Sequence, residues 1–75
     1  MKAQREKSIT LRIMELCAGN PGSIAVFGKL VHATDEDTLE KIVETAEELK
    51  WTSSTAWEIF KASDQNIELF IKRFK

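Results

Sequence analysis

The chain is short of most devices that small proteins use to reinforce a small core. It has one cysteine, so no internal disulfide can form. One cysteine and one histidine cannot supply a four-ligand structural zinc site within one chain. Glycine and proline are scarce, with three and one, and there is no low-complexity tract or internal repeat. No apolar run reaches the roughly eighteen residues that a membrane-spanning helix needs. The basic N-terminus is not followed by an apolar stretch of secretory-signal type. A lone thiol with no export signal is expected in a reducing cytoplasm. With 11 basic and 12 acidic side chains the net charge is −1, which gives no general attraction to nucleic acid or anionic lipid.

What is present is an ordinary globular composition, 43% hydrophobic and 31% charged, in 75 residues. That length allows one domain, 1–75. A chain this short hides only about 60% of its unfolded surface, so regular helix packing, self-association or both must make up the difference.

The clearest element is the stretch 34–50. Leu39, Ile42, Val43, Ala46 and Leu49 recur at three- and four-residue steps and form one stripe, with Glu40, Lys41, Glu44, Glu47 and Glu48 opposite. The other helices are expected to pack on this stripe. Thr34 opens the helix, and Asp35, Glu36 and Asp37 fill its first turn, where free amides and the dipole favour acids. Asp35 and Asp37 could also hold a divalent cation, but the calcium-loop pattern is absent and capping accounts for them.

The spacing predicts four further helices. In 4–18, Ile9, Ile13, Leu16 and Cys17 share a face, with Met14 at its margin; Ser8 is an N-cap candidate, although Gln4 to Lys7 could extend the helix outward, and Gly19 closes the end. Gly19-Asn20-Pro21-Gly22 reads as a turn; it lacks the Gly-Lys-Ser/Thr ending of a phosphate loop. Ser23 caps 24–32, where Ile24, Phe27 and Val31 align and Val26 and Leu30 widen the arc. A helix this apolar is either central in the core or covered by another chain. Ser54 or Thr55 caps 55–62, and Ser63 or Asp64 caps 64–74, where Ile67, Phe70, Ile71 and Phe74 are amphipathic. No segment alternates with period two, so the expected fold is an all-α bundle of about five short helices.

Chemistry is thin. His32 ends an apolar helix and suits a cap or surface role. Cys17 lies on a core face with no activating neighbour in sequence. Catalysis needs several convergent groups in a pocket, and no catalytic, cofactor or metal residue is assigned; the chain is read as not an enzyme. A helix-turn-helix is disfavoured, because the helix after the turn lacks Arg, Asn and Gln for reading bases. Nucleic-acid or nucleotide contact is left to the basic ends, Lys2, Arg5, Lys72 and Arg73, and would be salt-sensitive. Binding to protein is the leading expectation. Leu11, Trp51 and Leu69 lie off the assigned core faces, and Trp51 and Trp57 are of the type enriched at interface hot spots. These four are the interface candidates, with a homo-oligomer and an unidentified protein as expected partners.

The segments Glu15-Leu16-Cys17-Ala18-Gly19-Asn20-Pro21-Gly22, Ser54-Thr55-Ala56-Trp57-Glu58-Ile59-Phe60-Lys61 and Asp64-Gln65-Asn66-Ile67 look like those of short all-helical proteins encoded by bacteriophages and prophages. The resemblance implies a helical fold and an adaptor or inhibitor acting on a host protein or small signalling molecule. It carries no activity and no binding residue across to this chain.

Overall fold

The computed structural model describes residues 8–75, so the predicted helical stretch before Ser8, with Lys2 and Arg5, lies outside the described residues. The fold is all-α. Five helices are present, α1 Ile9–Cys17, α2 Pro21–Ala33, α3 Glu36–Glu48, α4 Thr55–Ala62 and α5 Ile67–Lys72, and no strand occurs among the described residues.

The hub is α2. It packs against α1, α3, α4 and α5, whereas α3 packs chiefly on α1 and α2. This corrects the expectation that the other helices gather on the α3 stripe. The reason lies in position rather than in the width of the buried stripe: α2 buries Ser23, Val26, Phe27 and Leu30 and α3 buries Leu39, Ile42, Val43 and Ala46, but α2 receives α4 and α5 as well as α1 and α3. The shared core joins Val26, Phe27 and Leu30 to Cys17, Leu39, Ile42, Val43, Ala56, Phe60, Phe70 and Ile71. Two residues of α2 expected in it are not. Ile24 and Val31 are each 51% exposed, on the side of α2 away from Val26 and Leu30.

Side-chain caps fix where α1, α2, α3 and α5 begin, while α4 starts after Ser54 with no side-chain cap bond. Ser8 caps α1 by accepting the Leu11 amide at 3.1 Å. Asn20, not Ser23, caps α2, accepting the Ser23 amide at 3.1 Å; Pro21 is then the first helical residue, where its fixed φ and missing N–H cost nothing. Ser23 is instead buried and its hydroxyl donates to the Ser53 carbonyl, tying the start of α2 to the turn before α4. Asp35, not Thr34, caps α3 through the Thr38 amide at 3.0 Å; the Thr38 side chain first, and that amide after it, hold the Asp35 carboxyl below its ordinary value. Asn66, not Ser63 or Asp64, caps α5, accepting the Glu68 and Leu69 amides.

The helix ends explain the remaining boundary shifts. At the end of α3 the Trp51 amide donates to Ala46 O and the Lys50 amide to Glu47 O, a Schellman closure with Lys50 left-handed at φ 56°. The helix therefore stops at Glu48 rather than 50, and Leu49 swings out to 68% exposed. At the end of α4 the Gln65 amide reaches Phe60 O and the Asp64 amide reaches Lys61 O, with Asp64 and Gln65 both left-handed. Those two residues cannot start a right-handed helix, so α5 begins at Ile67 rather than 64 and is short. Phe74, past its end, packs between Phe70 at 5.4 Å and Trp51 at 5.9 Å between ring centroids.

Two neighbouring positions respond in opposite senses to adding or removing one methyl. A Cβ on Gly22 would lie 2.8 Å from the Trp57 ring, so Gly22→Ala should cost about 1–3 kcal/mol through overpacking. Ala18 sits left-handed at φ 47°, so Ala18→Gly should gain about 1 kcal/mol. Urea unfolding midpoints check both, and shifts of the same sign would contradict this account of the turn.

Candidate interaction surface

Helix α1 is held to the rest by a polar clasp. Arg12 falls among Ile9, Ile13 and Leu16 on the inward side of α1 and is only 5% exposed. Its Nε and Nη2 donate to the two carboxylate oxygens of Glu47 at 3.0 and 2.7 Å, and its Nη1 donates to Glu40 at 3.0 Å. Glu40 and Glu47 are seven residues apart, two turns along α3, so one guanidinium spans them. The Glu47 hydrogen bonds, more than those of Glu40, raise the Arg12 pKa above its ordinary value against the opposing effect of burial. No buried side-chain nitrogen or oxygen is unpartnered among the described residues. Sequence reasoning missed this cluster. The available clue was a charged residue inside an apolar face, with acids flanking the α3 stripe at that spacing.

On another side of α1, between it and α2, lies an apolar groove of about 160 Å³. From α1 come Thr10, Ile13, Met14 and Cys17; from α2 come Ile24, Phe27, Gly28 and Val31. None of these eight is charged, in a chain where charged residues make up 31%. Met14 is 62% exposed and stands beside Ile24 and Val31, each half open to water. The volume is below the roughly 300–1,000 Å³ of ordinary small-ligand pockets, and the walls offer almost nothing to orient a polar molecule.

The four interface candidates do not form one patch around this groove. Leu11 on α1 and Leu69 on α5 are exposed. Trp51 and Trp57 are half-buried, each giving one face to the core, Trp51 against Phe74 and Trp57 against Phe60 and the backbone at Gly22. The groove residues Met14, Ile24 and Val31 were not singled out as a surface, because at helical spacing they read as core. His32 is exposed in the last turn of α2. Cys17 is fully buried, and burial pushes its thiol pKa up, away from reactivity. Of the basic candidates, Lys72 is exposed. Arg73 is exposed as well, and its guanidinium donates to Ser63 Oγ at 2.7 Å and Ala62 O at 3.3 Å, latching the end of α5 to the end of α4.

No group of three or more His, Cys, Asp or Glu suited to a metal occurs among the described residues, and none of their helices is long and apolar enough to cross a membrane. No protein-family model, curated protein or solved structure matches the chain.

The clasp makes an asymmetric prediction. Glu47→Ala leaves the buried Arg12 charge with half its partners and should cost about 3 kcal/mol. Arg12→Met should cost less, because Glu47 and Glu40, with side chains 33% and 46% exposed, can rehydrate. Denaturant midpoints that rank the two variants the other way would contradict the clasp.

Proposed function

We propose that this protein acts without catalysis, as a helical interaction module that binds another protein through the α1–α2 face. The observation behind this reading is the exposed, uncharged groove with Met14, Ile24 and Val31 at its opening. Exposed apolar side chains beside a pre-formed apolar groove are what a helix-in-groove contact uses. The resemblance to phage and prophage proteins favours a cytoplasmic adaptor or inhibitor whose target is a bacterial host protein. Leu11, farther round α1, would extend the contact; Leu69, Trp51 and Trp57 would serve a second edge.

The test is a charged double variant, Met14→Glu with Val31→Glu. Both positions are at least half exposed, so helical circular dichroism and the unfolding midpoint should stay close to those of the parent. Proteins captured from a bacterial lysate by the immobilised parent should be lost with the variant. Capture of the same proteins by both would remove the α1–α2 face as the binding surface.

A further inference from the structure

We propose that Met14 is the oxidation site of the folded chain: a hydroperoxide converts its thioether to the sulfoxide, spares Cys17 one turn further along α1, and so makes the mouth of the α1–α2 groove polar and weakens its hold on a partner protein. The last step rests on the reading of that face as an interaction surface and names what regulates it.

The observation is a pair of sulfurs at opposite depths of one groove. The chain has three sulfurs, of which Met1 lies outside the described residues. Met14 and Cys17 stand three residues apart on α1, and both line the groove. Met14 is 62% exposed and Cys17 is 0% exposed. Where both are open to solvent, a thiolate is the sulfur that a peroxide attacks first. Two separate effects reverse that order here. Cys17 presents no surface to an oxidant. Burial also keeps its thiol protonated, and the groove walls carry no cation that would draw the proton off. A thioether has no proton to lose, so apolar surroundings leave it reactive, and access alone decides its rate.

The step balances without a further reagent. A sulfur lone pair attacks the terminal oxygen of the hydroperoxide. The sulfur–oxygen bond forms as the oxygen–oxygen bond breaks, and the departing hydroxide or alkoxide takes up a proton to become water or an alcohol. Sulfur loses two electrons and the peroxide gains them. The product alters the groove in kind. Thr10 supplies the one hydroxyl among its eight lining residues. A sulfoxide oxygen near Ile24 and Val31 is a strong acceptor that water satisfies while the face is open, and an apolar partner laid over it would leave it unpaired. Met14 projects from the surface, so the added oxygen displaces nothing in the core. Sulfoxide reductases reverse the change, which makes it a switch rather than a lesion.

Peptide mapping by mass spectrometry after timed exposure to hydrogen peroxide, in buffer and in guanidinium chloride, reads each sulfur separately, Met1 included. Met14 in the folded chain should gain its oxygen within about twofold of the unfolded rate, whereas Cys17 should slow by about tenfold or more and remain a free thiol when Met14 is fully converted. Helical circular dichroism should be unchanged. Capture of lysate proteins by the immobilised chain should fall in step with the Met14 peptide rather than the Met1 peptide, and return after methionine sulfoxide reductase with dithiothreitol. Cys17 oxidised as fast as Met14, or Met14 slowed as much as Cys17, overturns the site. Capture that persists at full conversion, or that the reductase does not restore, overturns the regulation. If the parent captures nothing, or the charged double variant captures as much as the parent, the proposed function fails and the regulation with it, while the order of oxidation, read by mass alone, stands.

Discussion

Phe27 and Leu30 lie at the centre of the molecule, on the one helix that packs against all the others. Small chains cannot build a deep core from two layers, because too little of their surface is hidden. Here the difficulty is met by one central helix: α2 buries Ser23, Val26, Phe27 and Leu30 and packs against α1, α3, α4 and α5. Its start is anchored three ways: by the Asn20 cap, by the Ser23 hydroxyl on the turn before α4, and by Gly22 lying flat against Trp57. The remaining open side of α2, with Ile24, Gly28 and Val31, is the side on which the proposed partner sits.

Around that hub the short connections are strained and the polar ties are specific. Ala18, Lys50, Asp64 and Gln65 hold left-handed conformations without being glycine, each at a cost on the order of 1 kcal/mol. Paired Schellman bonds and tertiary contacts offset that cost and turn the chain sharply enough for five helices to fit in a short sequence. Arg12 fixes α1 in a different way. Apolar stripes tolerate sliding by a turn, but a guanidinium fork engaged with Glu47 and extended to Glu40 fits at one register only. The Arg73 latch does the same for the end of α5.

Helix number, helix type and most buried positions were legible from spacing, because Leu39, Ile42, Val43, Ala46, Phe60 and Phe70 recur with the period that one helical face requires. The boundaries were less legible where several polar residues compete for one cap. Ser23 and Asn20 both suit the start of α2, and only the identity of Pro21 as a first-turn residue separates them. The left-handed residues left little trace, since alanine, lysine and glutamine carry no sign of that conformation and Asp64, of a type that tolerates it, read equally well as a cap. The hub was hidden for a more basic reason: periodicity reports which side chains are buried but not which element they are buried against. The candidate surface was hidden by the same limit. Met14, Ile24 and Val31 have core spacing and core chemistry, and only the packing of α1 beside α2 reveals that they face outward. The apolar excess of α2 did leave two readings open, centrality and cover by another chain, and the structure supplies the first.

The central claim is that α2 organises the fold, and native-state hydrogen exchange tests it residue by residue. If α2 is the hub, the amides of Val26 to Leu30 exchange only through global unfolding, with protection equal to the full unfolding free energy, and α1 and α5 open earlier. Amides of α3 that outlast those of α2 would contradict the account.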